Sequence, residues 1–357
     1  VPGLQVEQFQ GRLAGRWEAE RLLWEQDGNR VEVIEPRLAW SPSCLLRRTL
    51  CIKELQAGKI DLIFPPGDEP AASEPFSLAD IQLPLELRIE RVEVGQVRLN
   101  GLEQLQSLQL RADWRRDGLT IRTLSLRRED LALNLAGRLR TDGDLPLKLR
   151  GDAALQLPEM PAWTLKLAVD GELREHLLLA VQSKGYLNGT LDGRVRPLEP
   201  DLPATLRLAL NDFKAIPDLP EALLLERLEL GAEGNLKDGY RLAGDGNLKG
   251  EGGSVALMLE ALLDAEQASV QSLQLDAGDA QLIELQGQLG WSEGLRVEAQ
   301  LAWRDFPWRR LYPNVEEPPV ALRRMDALLQ YDDGSYLGHF DAALSGPAGD
   351  FSLRSPV

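Results

Sequence analysis

Histidine, cysteine, aromatic residues and long apolar runs are all scarce in this 357-residue sequence, and each shortage removes a class of function. The two histidines, His176 and His339, stand far apart, and no Cys-x-x-Cys, His-Glu-x-x-His or nucleophile elbow occurs. Metal, redox and triad chemistry need such residues at short fixed spacings. No catalytic residue, metal or cofactor is expected, and the chain does not read as an enzyme. Cys44 and Cys51 are seven residues apart, a spacing open to a disulfide, although two buried free cysteines are the favoured reading. Apolar runs such as Ala222 to Leu225 stop at four or five residues, where a spanning helix needs roughly 20. A net charge of -16 and a pI near 4.8 argue against nucleic acid as a partner and against a polybasic membrane clamp. The start, Val1-Pro2-Gly3, reads as the middle of a longer sequence.

What is abundant is leucine, and it alternates. Leu131, Leu133 and Leu135 recur with period two, as do Leu147 and Leu149 against Lys148 and Arg150. The same pattern holds for Leu165, Leu167 and Val169, for Leu177, Leu179 and Val181, for Leu206, Leu208 and Leu210, and for Leu228 and Leu230. Successive side chains of a strand point to opposite faces, so each segment is half apolar and half wetted. Turn signals separate the segments: Asp117-Gly118, Asp142-Gly143, Asn188-Gly189, Asp192-Gly193, Asp238-Gly239, Gly252-Gly253 and Asp333-Gly334. Gly244-x-Gly246 reads as a further hairpin signal, not a phosphate loop. The spacing predicts an antiparallel meander of roughly 20 to 25 strands.

A weak repeat links Ile121–Arg140 with Val270–Trp291 and suggests a one-dimensional stack. Short helical turns are predicted over Ser43 to about Leu50, Pro220 to Leu224 and Asp305 to Leu311. The acid pairs Asp332-Asp333 and Glu316-Glu317 read as solvated loop charge, and the eight tryptophans as core by default.

About 70 leucines outnumber valine and isoleucine together by nearly three to one. A self-filled core needs interlocking shapes, and uniform leucine specifies packing poorly. A leucine wall facing something fluid has no such need. The predicted fold is therefore all-β: an elongated, twisted antiparallel β-groove, an open half-pipe with an apolar interior and a few short helices. A closed leucine-rich sandwich is the alternative. A seven-residue strand is about 23 Å long, enough to cradle chains of about 15 Å.

Residues 4–66 carry Gly11-Arg12-Leu13, the Leu38-x-Trp40-x-Pro42 strand end, Leu45-Leu46 and Ile52-x-x-Leu55. This block resembles the start of the TamB (translocation and assembly module subunit) family, which is AsmA-like and part of the bridge-like lipid-transfer superfamily. LALNLAGRLR, LNGTLDGRV, LQGQLGWSEGLRVEAQLAW and FPWRRLYP also look like the family's recurring units. The resemblance implies an N-terminal AsmA-like β-region over 1–65, a proline-rich loop over 66–80 and a continuous β-groove over 81–357. It implies a periplasmic fragment of a protein held in the inner membrane by an anchor absent from this chain. A C-terminal region, also absent, would meet the outer-membrane barrel TamA. On that reading phospholipid is the ligand, moving between the two membranes along the sixteen alternating residues named above. The rival is a scaffold or chaperone inserting outer-membrane β-barrels and autotransporters together with TamA.

Overall fold

Alternation becomes strand nearly everywhere in the computed structural model, which describes residues 3–26, 28–64, 85–158, 160–214, 219–292 and 294–355. The loop expected at 66–80 lies outside the described residues. The chain divides into two units, Val1–Leu173 and Arg174–Val357.

The first unit contains β1 (Leu4–Glu7), β2 (Gln10–Gly11), β3 (Arg16–Glu18), β4 (Arg21–Gln26), β5 (Asn29–Ile34), β6 (Arg37–Ser41) and β7 (Thr49–Ile63). It continues with β8 (Glu86–Leu99), β9 (Leu102–Leu105), β10 (Ser107–Arg115), β11 (Gly118–Arg127), β12 (Leu131–Arg140), β13 (Pro146–Leu155) and β14 (Trp163–Glu172). Strands β10 to β14 form the expected meander, each antiparallel to the next. The N-terminal part departs from it. The 15-residue β7 pairs with β6 along its first half and with β5 along its second. Its other edge pairs with β8, and that pair is parallel. A parallel pair cannot be closed by a tight hairpin, so residues 64–85 serve as its long connection.

The second unit is an antiparallel meander of β15 (His176–Lys184), β16 (Asn188–Val195), β17 (Ala204–Phe213), β18 (Leu225–Asn235), β19 (Gly239–Leu248) and β20 (Val255–Leu263). It runs on through β21 (Gln267–Asp276), β22 (Leu282–Gly290), β23 (Arg296–Arg304), β24 (Ala321–Asp332), β25 (Ser335–Gly346) and β26 (Gly349–Arg354). Consecutive strands pair throughout. Both units are all-β open sheets. The three predicted helical turns exist as short 3-10 segments, Pro42–Arg47, Glu221–Leu223 and Trp308–Arg310.

Regular slips in register punctuate the strands. Shifts fall between Ile121 and Leu124, between Val270 and Leu273, between Leu225 and Arg227 and between Leu322 and Arg324. The sequences there are Ile-Arg-Thr-Leu-Ser-Leu, Val-Gln-Ser-Leu-Gln-Leu, Leu-Glu-Arg-Leu-Glu-Leu and Leu-Arg-Arg-Met-Asp-Ala. Apolar residues at i, i+3 and i+5 cannot share one face of an unbroken strand. One extra residue in a bulge restores them to the same face and sharpens the local twist. The repeat seen in the sequence thus has a structural counterpart, since its two copies bulge at equivalent residues.

Three glycine signals are corrected. Asp192-Gly193 lies inside β16 and Gly244-x-Gly246 inside β19, and Asn188-Gly189 opens β16 instead of turning the chain. The reason is packing on the leucine face, described below. Asp117-Gly118, Asp142-Gly143, Asp238-Gly239 and Asp333-Gly334 do sit at turns, each glycine with positive φ.

Candidate functional site

Register converts the alternation into two faces. In the first unit Leu131, Leu133 and Leu135 of β12 stand opposite Leu155, Ala153 and Gly151 of β13. Leu147 and Leu149 meet Gly171 and Val169 of β14, while Leu165 and Leu167 meet Ala153 and Gly151. All eight predicted residues of this unit share one face. In the second unit Leu177, Leu179 and Val181 stand opposite Val195, Gly193 and Leu191, and Leu206, Leu208 and Leu210 opposite Gly193, Leu191 and Gly189. Leu228 and Leu230 then face Leu210 and Leu208. These eight also share one face. The N-terminal strands join by the same logic: Val31 and Val33 pair with Leu62 and Ile60, which pair in turn with Leu99 and Val97.

Burial shows what covers these faces. Val169, Leu177 and Leu210 are buried, and the other thirteen predicted residues are half-buried. A sandwich would bury such positions between two sheets about 10 Å apart. Here, among the described residues, the strands that carry them pack mainly against the strands beside them, while Lys148, Arg150, Lys166 and Asp170 on the reverse face are exposed. Val255 is the one large side chain that is fully buried among the described residues.

The leucines lie low because glycine stands beside them. A methyl group added to Gly151 would collide with Leu135 Cδ2, and one added to Gly193 with Leu206 Cδ2. At Gly137 and Gly244 the added carbon would come within 2.9 Å of Leu149 Cδ1 and Leu230 Cδ1. A leucine can therefore fold down onto its neighbour's bare backbone, giving a thin apolar layer instead of upright side chains. The sequence reading assigns Gly193 and Gly244 to turns and gives none of these glycines a packing role, yet the signal was present: Leu133-x-Leu135-x-Gly137-x-Leu139 keeps period two straight through the glycine.

The opposite face is polar and paired. Lys148 and Asp170 approach to 3.2 Å, Arg227 and Asp245 to 2.7 Å, and Arg304 and Asp326 to 2.6 Å. Cross-strand pairs of this kind are worth about 0.2–1 kcal/mol each. Hydrogen bonds from Arg304, and with them Arg324, hold the Asp326 carboxyl below the ordinary range, and Arg140 does the same for Asp142. Two clefts of the second unit, about 640 and 570 Å³, open on this charged side. The first is lined by Glu284, Asp326, His339 and Asp341, the second by Asp192, Glu229, Asp245 and Glu260. Their carboxylates do not suit an oily ligand, so the apolar surface is the candidate site. Of the acid pairs, Glu317 is exposed loop charge and meets Arg309, whereas Asp332 is the exposed last residue of β24 and meets Arg296 on the paired strand.

Two further elements modify the faces. Cys44 and Cys51 are joined as a disulfide, so the reading as free buried cysteines is wrong; the 3-10 turn brings their Cα atoms to 6.0 Å. In the second unit Leu248, Val255, Phe306 and Leu311 form a true core, with Trp303, Trp308, Leu223 and Ile283 packed against it. It sits where β19 ends and β20 begins, over one rim of the leucine face, and uses the loop after β23 as its cover. Trp303 and Trp308 thus keep their default role as core.

A fold of this kind with an uncovered leucine lane is matched by a family model. The N-terminal domain of TamB matches residues 1–77 and 68–318. The chain belongs to the TamB family. A curated relative, the translocation and assembly module subunit TamB of Haemophilus influenzae, is 27% identical over 153 residues, 39% of this chain. The match covers 12% of that relative, so the chain corresponds to a small part of a family member's length. No solved structure matches.

Proposed function

We propose that this chain is part of a periplasmic lipid bridge, its leucine faces carrying phospholipid acyl chains between the inner and outer membranes. The observation behind this reading is the uncovered, in-register apolar lane of each unit. Each methylene buried against such a lane is worth about 0.8 kcal/mol, and a lane of near-equivalent leucine sites lets a chain slide without a deep trap. The disulfide supports an oxidising compartment. The name of the relative, a translocation and assembly module subunit, supports a role in translocation and assembly. The reading needs no catalytic step or cofactor. The inner-membrane anchor and the contact with outer-membrane TamA belong, on this reading, to other parts of the full protein.

The test is charge in the lane. Leu133→Arg or Leu167→Asp leaves circular dichroism unchanged, because both positions are only half-buried, and abolishes phospholipid passage between donor and acceptor vesicles. Passage retained by both variants rejects the lipid bridge.

A second reading is a scaffold for inserting outer-membrane β-barrels with TamA, favoured by the relative's name as an assembly module subunit. In it an open strand edge pairs with a client strand. Under this reading a proline placed in an edge strand impairs client assembly more than Leu133→Arg does; the lipid bridge predicts the reverse order.

A further inference from the structure

One rim of the first unit sets exposed leucine beside unpaired arginine, in a chain whose net charge is -16. Two loops form it: residues 12–15, between β2 and β3, and the turn Pro42–Arg47, between β6 and β7. Leu46 is 90% exposed and Leu13 72%, the largest exposures of any leucine among the described residues. Neither loop is loosely held. The Trp40 indole donates to the Leu13 carbonyl at 2.7 Å, and the Trp40 backbone N–H donates to the Gly15 carbonyl at 3.0 Å. The Cys44–Cys51 disulfide ties the second turn to β7, and Arg48, with φ of 55°, closes it by donating to Leu45. Fixed leucines pointing into water are costly unless something apolar receives them.

Charge identifies the receiver. Neither Arg12–Arg16 nor Pro42–Arg48 contains an acid. Arg12, Arg47 and Arg48 make no ion pair among the described residues, and Arg16 reaches only Glu54, at 3.8 Å. Glu86, at the start of β8, is the acid whose backbone meets this turn, donating to the Arg48 carbonyl. The acids elsewhere contribute little, because charges are screened over about 8 Å at physiological ionic strength. Guanidinium groups bind phosphate through paired hydrogen bonds, and a basic patch combined with an apolar tip is the two-part signal of stable contact with anionic lipid.

We propose that this rim is a bilayer-contact surface: Leu13 and Leu46 enter the interface of an anionic phospholipid membrane while the surrounding arginines meet headgroup phosphates. This goes beyond the lipid bridge and does not depend on it, since the rim touches a bilayer from outside while the lane holds single acyl chains.

The experiment is co-sedimentation of the 357-residue chain with vesicles of phosphatidylethanolamine and phosphatidylglycerol, alongside vesicles of phosphatidylcholine alone. The wild-type chain sediments with the anionic vesicles. The Leu13→Ser/Leu46→Ser variant partitions at least about tenfold more weakly, since two leucine side chains leave the interface. Arg47→Gln/Arg48→Gln lowers binding to anionic vesicles to the phosphatidylcholine level. Leu133→Arg, which empties the lane, sediments like wild type, so the two proposals fail separately. Undiminished binding by the double serine variant overturns the proposal. So does wild-type chain that ignores anionic vesicles, or that captures a protein through this rim while ignoring vesicles.

Discussion

The leucine face of β12–β14 and the leucine face at the rim of β19–β23 have the same chemistry but different fates. Over β12–β14 the leucines remain half-buried. At the β19–β23 rim Leu248, Phe306 and Leu311 are 7%, 3% and 5% exposed, and Val255 is fully buried. The strands do not explain the contrast; the connections do. Hairpins close β12 to β14, whereas the segment between Arg304 and Ala321 folds back and lays Phe306, Trp308 and Leu311 over the sheet. Arg310 fixes it by donating to the Ala277 carbonyl at 2.7 Å. A leucine face will therefore become a core wherever the chain supplies a lid, and it stays bare where turns are tight.

The largest effect expected from this contrast is on stability. Phe306→Ala should cost about 3–5 kcal/mol by emptying a closed core, and should speed hydrogen exchange in β19 and β20. Leu133→Ala should cost about 1 kcal/mol, because much of that side chain already meets solvent. Urea denaturation of both variants checks the comparison. Equal losses would mean that the β12–β14 face is covered after all.

Steric room gives the next effect. Gly151→Val should cost about 1–3 kcal/mol by lifting Leu135 from the sheet, whereas Ala136→Val, on the exposed side of β12, should stay within about 0.5 kcal/mol. If the two were alike, the glycines would be incidental to how the leucines lie.

The smallest effect concerns pH. Side-chain hydrogen bonds from Arg128 and Arg140 hold Asp130 and Asp142 below the ordinary carboxylate range, and Lys214 does the same for Glu221. Their folded-state values lie below the unfolded ones, so the unfolded chain binds more protons as pH falls. Their contribution is complete above the ordinary range, near about 4, and disappears as pH drops through the lowered values. The urea midpoint should fall slightly from pH 6 to pH 3, solvent screening keeping the change small. A midpoint that rises on acidification contradicts these pairings.

Much of this was legible in the sequence, because period two depends only on local geometry. Leu147-x-Leu149 declares its face without any knowledge of β12 or β14. What needed a third dimension was less visible. Cys44 and Cys51 have the same spacing whether bonded or free, and only the 3-10 turn decides. The parallel β7–β8 pair joins segments that give no sign of meeting. Asp192-Gly193 carries the residues of a tight turn, but Gly193 is used as a low neighbour for Leu206, so a local rule lost to packing on the face. The bulges were readable in principle, since Ile121-x-x-Leu124-x-Leu126 breaks alternation by one residue and then resumes it.

The central claim is that the bare lanes hold acyl chains. Mass spectrometry of organic extracts from the purified chain tests it most directly. The account predicts co-purified phospholipid in wild type and its loss from a Leu133→Arg/Leu208→Arg variant that is still folded. Lipid-free wild-type protein, or equal lipid in the variant, contradicts it.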